Sequence, residues 1–424
     1  MQATNAGVTA ASSPGATSTD AADGAGSSML IISDAADGPV AELPLHLTEK
    51  ILYCISPLES GRLATVCKSW AATVSARLAM PIPALYVSTP PDITTDRRGL
   101  VVSVTLDGSS PSATRTPSRV QWSDTNVLDS IGATPSGHVA FATGLWNDNV
   151  TLVNPVTGAV ETIDVGSPAL NQHQSHVLAA GPGDSCDSLF GVDDRTLFLW
   201  RRQACGGEKE AWSRCAVLAM MGHNHIATAV ECNGCFYLLH VNGCLSRIDT
   251  AEPPPLKMRM IPVASLMHQM AYLSMKDEGR MLVCDGEVLF VRQRPVSACD
   301  YRASFTVDGF EVFRLDVKEQ RWAKVDQLPA DRAIFVSPGS SFAVRASEVE
   351  GCMSNCIYFV GKKPYYSYYW GGDTGGESLW GVYSMKDRRV LFENAVTEPG
   401  RNTNAVWFLP RVSLAKSASY HKFG

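Results

Sequence analysis

The sequence predicts a mainly β protein with a small α-helical module near its N-terminus. Three observations carry that reading. Apolar residues at helical spacing crowd into residues 43–80, whereas from about Pro83 to Leu414 short period-two runs alternate with turn residues. The chain is 424 residues long, 45% hydrophobic and 18% charged, enough for a large core. Strands at such regular spacing mean a sandwich, barrel or propeller, and a β region this long is filled by six or seven four-stranded blades.

Residues 1–41 are rich in Ala, Ser, Gly, Thr and Asp, with Met29-Leu30-Ile31-Ile32 as one apolar island. Such a segment cannot bury enough apolar surface to offset its ordering entropy, so it is expected to be disordered. The same is expected of residues 416–424. No Lys or Arg precedes Lys50, and Asp20, Asp23, Asp34 and Asp37 are acidic. That pattern fits neither a secretory signal nor a transit peptide, which leaves cytosol and/or nucleus as the expected location.

Residues 42–80 hold three short stripes. Leu47, Ile51 and Ile55 recur at helical spacing with Leu52 beside them. Ser56-Pro57-Leu58-Glu59 supplies a capping side chain, Pro at the first helical position and Glu at the third, a capping-box start for a second helix. Leu63, Val66, Cys67 and Trp70 form its stripe; Trp70, Val74 and Leu78 form a third, stopped by Met80-Pro81-Ile82-Pro83. A unit of about 40 residues buries too little surface to stand alone, so its spare apolar face needs a partner.

Residues 81–415 form the β body. Expected strands include His138–Ala142, Val150–Val153, Ala159–Ile163, Thr196–Trp200, Cys235–His240, Leu245–Ile248, Arg280–Cys284, Glu287–Val291, Phe310–Asp316, Arg321–Val325, Ala333–Val336, Ser341–Arg345, Cys356–Val360 and Leu379–Ser384. Tight turns are expected at Asn233-Gly234, Asn242-Gly243, Asp285-Gly286 and Asp308-Gly309. Trp322 is bulky enough to pin one sheet on the next, and Asp316 and Arg332 are candidates for a pair between blades.

Net charge is −6 with no Lys/Arg cluster, which argues against nucleic acid or an anionic membrane as the main partner. Among the 12 cysteines, Cys232 and Cys235 have metal-site spacing, but Asn233-Gly234 between them reads as a hairpin turn. Reduced, mostly buried thiols with no metal or cofactor are the expectation. His223 and His225, with His240 nearby in sequence, leave a metal site open beside the plainer reading of a turn followed by a strand. Phosphate-loop, dinucleotide, zinc-protease and nucleophile-elbow motifs are absent, so no catalytic residue is assigned. Tyr365, Tyr366, Tyr368, Tyr369 and Trp370 crowd ahead of a Gly-rich run. They read as blade core, as a target-binding loop or, with Lys362 and Lys363, as a stacking surface for nucleic acid.

Leu43-Pro44, Ile51-Leu52 and Val66-Cys67-Lys68-Ser69-Trp70 resemble an F-box, a three-helix unit. The resemblance implies docking on a Skp-type adaptor, and through it a cullin–RING ubiquitin ligase, by Leu43, Pro44, Leu47, Ile51, Leu52, Val66, Cys67 and Trp70. The chain departs from that pattern at His46, Thr48 and Ser60-Gly61. Gly61 inside a helix costs about 1 kcal/mol relative to Ala, which lowers the expected adaptor affinity. Three further stretches resemble the C-terminal propeller of plant F-box proteins with a KIB-type (DUF295-like) β-propeller. They are Leu152–Gly158, Phe310–Asp316 with Arg321-Trp322 and Asp331-Arg332-Ala333, and Ser341–Val344 running into Asn355–Phe359 and Gly381–Ser384. Together these imply a non-catalytic substrate receptor with a protein target. The alternatives are a propeller enzyme or small-molecule sensor with a vestigial F-box, or a scaffold that holds a partner without degrading it.

Overall fold

The structure is a computed structural model. It describes residues 43–55, 60–78, 82–88, 98–107, 114–121, 130–143, 149–164, 177–180, 188–191, 196–205, 209–219, 226–249, 257–264, 266, 279–295, 307–363, 377–396 and 404–411. Among them, 25 strands build six sheets. β1 (Ala84–Ser88), β2 (Arg98–Ser103) and β3 (Thr114–Gln121) belong to the first. The second is β4 (Ser130–Ala133), β5 (Val139–Thr143), β6 (Asn149–Val153) and β7 (Val160–Asp164). The third is β8 (Val177–Ala180), β9 (Ser188–Gly191), β10 (Thr196–Cys205) and β11 (Lys209–Ala219). The fourth is β12 (Ile226–Cys232), β13 (Cys235–His240), β14 (Leu245–Asp249) and β15 (Met258–Ile261). The fifth is β16 (Gly279–Cys284), β17 (Glu287–Pro295), β18 (Val307–Asp316) and β19 (Arg321–Val325). The sixth is β20 (Arg332–Ser337), β21 (Ser340–Arg345), β22 (Cys356–Lys363), β23 (Glu377–Ser384) and β24 (Arg389–Ala395). β25 (Asn404–Phe408) then returns to the first sheet, pairing antiparallel with β1 from Ala84↔Phe408 to Ser88↔Asn404.

The strands β4, β8, β12, β16, β21 and β25 each stand at the edge of their sheet, and each touches the next in a closed circuit. That is a propeller, and β25 closes it. The expectation of six or seven blades is corrected to five: five sheets are regular four-stranded antiparallel blades. The sixth sheet departs from them, with five strands in the order β21-β20-β22-β23-β24 and a parallel β20–β22 pair. The chain enters it at its second strand, visits the axis with β21, and crosses back to β22.

Hydroxyls stitch the ring together at its axis. Met281 on β16 donates its N–H to Thr228 Oγ1 at 3.1 Å and accepts from Ser341 Oγ at 2.7 Å. Trp407 on β25 donates its N–H to Ser337 Oγ at 2.9 Å. Between blades the core is apolar. Trp322 packs with Met281, Phe290, Leu239 and Leu245 across the fourth and fifth sheets, and Phe335, Tyr358, Trp380 and Trp407 pack across the sixth and first. Burying one such aromatic contributes roughly 1.5–3 kcal/mol.

Two turn-and-pair expectations change. Asn233 and Asp285 do sit at positive φ in tight turns, but Asp308 and Gly309 lie inside β18, where Asp308 pairs with Arg294 at 3.5 Å. A register shift beside Pro295 absorbs them. Asp316 does not reach Arg332; its carboxylate accepts from the N–H groups of Lys318 and Glu319. Arg332 instead pairs with Asp285 on the neighbouring blade.

Ahead of the ring lie α1 (Leu45–Tyr53), a 3-10 turn over Gly61–Thr65, and α2 (Lys68–Arg77). Residues 56–59, with the expected capping box, lie outside the described residues. The single stripe Leu63-Val66-Cys67-Trp70 is split, because Cys67 is extended (φ −161°, ψ 174°) and interrupts the helix. Its thiol meets Ser69 Oγ at 3.1 Å, and its carbonyl accepts the N–H of Ala71 to start α2. No helix among the described residues is long and apolar enough to cross a membrane.

Candidate docking site

The helical module has an inner and an outer side, and its sequence divides between them. Thr48 and Leu52, one turn apart on α1, are both buried, as are Ser60, Ala64, Ala71, Val74 and Leu78. Leu52, Ala64, Ala71, Val74 and Leu78 pack with Ala84, Tyr86, Val101, Val139, Phe141, Val156, Val406 and Phe408 of the first two blades. Leu47 and Ile51, also one turn apart, form the neighbouring stripe and are 38% and 42% exposed. Leu45 at the start of α1 and Val66 before the break are 59% and 60% exposed.

The expected adaptor residues therefore separate. Leu43, Pro44, Leu47, Ile51 and Val66 are exposed, while Cys67 and Trp70 are half-buried, Trp70 against the blade-side cluster. Leu52 is corrected: at 2% exposure it is core beneath the module rather than a surface anchor. The pair Ile51-Leu52 is split because neighbouring helix positions point about 100° apart. Leu45 was not among the expected residues, although an exposed leucine next to Pro44 was readable.

The departures from the F-box pattern also find their place. Thr48, Ser60 and Gly61 all lie on the buried side. A Cβ on Gly61 would overlap Val156 Cγ1. Gly61 is thus a point of close approach to the propeller, a different reason from the helix weakness expected of it.

Val156 sits at the tip of a turn built by Asn154, within the stretch Leu152–Gly158. Asn154 Oδ1 accepts from the N–H groups of Val156 and Thr157 at 3.0 Å each, and its carbonyl accepts from Gly158. Asn154 Nδ2 donates to the carbonyl of Arg411 at 2.9 Å, and Arg411 Nη1 donates to the carbonyl of Leu78 at the end of α2 at 2.5 Å. Arg77 within α2 donates to the carbonyls of Leu52 and Ile55 where α1 ends. Two guanidinium groups thus sit at two helix C-termini, where the carbonyl dipoles favour positive charge.

The module occupies the propeller end where β1 begins and β25 stops. Val102 near the end of β2 pairs with Leu85, and the chain after β21 returns beside the segment following β2, at Gly351 against Leu106 and Asp107. β22 starts at this end, so its last residue, Lys363, paired with Glu377, lies at the far end. Tyr365, Tyr366, Tyr368, Tyr369 and Trp370 lie outside the described residues, as do His223 and His225. His240 is buried, its Nε2 2.8 Å from Ser246 Oγ. Cys232 and Cys235 face each other across the Asn233-Gly234 turn, and burial raises the pKa of both thiols.

Residues 105–384 match the family model described as KIB1-4 beta-propeller. An F-box protein of Arabidopsis thaliana is 35% identical over 81 residues, 19% of this chain and 24% of that protein. A second Arabidopsis thaliana protein, named a probable F-box protein, is 26% identical over 183 residues, 42% of this chain and 45% of its own length. The chain thus spans less than half the length of these curated relatives. The solved structure of apo AztD from Citrobacter koseri overlays 78% of the chain and 99% of its own at 13% identity, with a TM-score of only 0.30. With a ring of blades matched over most of its length, and F-box proteins of a plant as its relatives, this chain belongs to the KIB1-4 beta-propeller family, as a plant F-box protein carrying that propeller.

Proposed function

We propose that the chain is the substrate-recognition subunit of an SCF-type ubiquitin ligase. Residues 42–80 dock a Skp-type adaptor and the propeller, residues 81–415, captures a protein target. One observation carries this reading. Of the eight large hydrophobic side chains exposed among the described residues, Leu43, Leu45, Leu47, Ile51 and Val66 belong to the helical segment, and only Val160, Met260 and Val317 lie elsewhere. The chain keeps its changes from the F-box pattern mostly on the buried side and leaves apolar groups outward, as a surface awaiting a partner does.

In this reading the chain makes no bond itself. The adaptor brings the cullin–RING machinery near one end of the ring, and the target sits at the other, where Lys363 pairs with Glu377. Tethering replaces a chance encounter by a local one, in the cytosol and/or nucleus.

The test is adaptor binding by purified full-length chain carrying Leu47→Ala and Ile51→Ala together. One buried interface anchor is worth about 2 kcal/mol, so affinity should fall at least about thirty-fold. The melting temperature should hold, because both side chains are already exposed. Adaptor affinity unchanged in the double variant, or absent in the wild type, rejects the proposal.

A further inference from the structure

Arg411 lies three residues beyond the last strand, yet it touches the N-terminal helical module. Its guanidinium donates to the Leu78 carbonyl at the end of α2, and its own carbonyl accepts from buried Asn154 on the second blade. Its backbone is fixed as well. Gly137, at φ +84°, lies so close that a Cβ there would stand 2.7 Å from Arg411 N and 2.8 Å from Arg411 Cβ. The residue is half-buried, and desolvation works against its charge. A charged side chain held there against that cost is positioned for a contact it makes, and the contact is the helix end.

From this geometry we infer that Arg411 is a positioning residue for ubiquitin transfer: it fixes the helical module in one orientation on the seam where β25 closes the ring. The inference rests on the adaptor-docking reading for its functional half and on contacts alone for its structural half. Three elements meet at this seam. The close approach of Gly61 to Val156 sets the depth of the module. Arg77 ties α1 to α2. Arg411 ties α2 to the ring, and it does so from just beyond β25, the strand that pairs with β1. Orientation matters to a receptor because the transferring enzyme reaches only those lysines that the rigid assembly brings near it.

Two measurements on full-length protein test this. Hydrogen exchange should show the amides of α1 and α2 exchanging about tenfold faster in Arg411→Ala, with β12–β18 keeping wild-type protection. Arg411→Lys, which retains the charge and a donating ammonium, should recover part of the difference. Wild-type exchange in α1 and α2 of Arg411→Ala, or equal acceleration throughout the sheets, overturns the inference. The second measurement maps self-ubiquitination by mass spectrometry in the presence of adaptor, cullin and RING subunit. Wild type should be modified at a restricted set of lysines, and Arg411→Ala at a broader set with adaptor affinity unchanged. An identical lysine pattern in both overturns the positioning role. Failure of wild type to bind adaptor rejects the proposed function instead, and the exchange measurement then still decides whether Arg411 holds the module.

Discussion

Replacing Gly61 by Ala separates local propensity from packing. In the 3-10 turn over Gly61–Thr65, Ala is favoured over Gly by about 1 kcal/mol on helix propensity alone. Here the added Cβ would overlap Val156 Cγ1, with Leu78 Cδ1 at 4.0 Å behind it. Overpacking a closed contact costs about 1–3 kcal/mol. Val156 cannot easily turn away: it is β-branched, buried, and set in a turn whose N–H groups Asn154 already holds. The net expectation is a module destabilised by about 1 kcal/mol, and by no more than about 2. Hydrogen exchange of α2 amides in the full-length chain gives that free energy locally. Val156→Ala removes the obstructing methyl, so Gly61→Ala made on that background should cost less, with a coupling of about 1 kcal/mol in the double-mutant cycle. If Gly61→Ala stabilises the module by about 1 kcal/mol in both backgrounds, the close approach is refuted and only propensity remains.

Two further outcomes follow from the titrating groups. The Arg332 guanidinium holds the Asp285 carboxyl below the ordinary aspartate value of 3.8. The stability this pair supplies is therefore complete above that value and is lost as pH falls through the lower folded value; Asp285→Asn should flatten urea midpoints below about pH 4, and an unchanged acid limb refutes it. Burial pushes the Cys284 and Cys356 thiols up to about 11. At pH 8 about one in a thousand is then thiolate, so alkylation followed by peptide mass mapping should label exposed Cys54 first; equal rates at all three would contradict this.

The β architecture was legible where strands have a wet face. Cys235–His240 and Arg321–Val325 alternate or end in tight turns, and the structure reproduces their bounds. Most of the axis strands were missed. β4 (SIGA), β8 (VLAA), β12 (IATAVEC) and β25 (NAVWF) are small or continuously apolar, without the alternation that marks a half-exposed strand. Missing β25 hid the closing strand; the strands of the sixth sheet were expected, but not the parallel β20–β22 pairing that makes it irregular. In the module, helical spacing placed Leu47 and Ile51 on one helix face but could not tell which stripe would face the propeller. That choice depends on Val156 and Arg411, 78 and 333 residues after Leu78, and local spacing carries no information about either.

The closing strand also sets an order of events during synthesis. Until residues 404–411 leave the ribosome, β1 has an unpaired edge and α2 lacks its guanidinium cap. At about 5–20 residues per second, translation from Leu78 to the closing strand takes about 15–65 s. For that interval a nascent chain shows both an open strand edge and the apolar underside of its first helices, features that chaperones and aggregating neighbours recognise. Pairing across more than 300 residues is also entropically slow. A chain stalled before Arg411 would never leave that state, so the N-terminal module is fully seated only once residues 404–411 have been made.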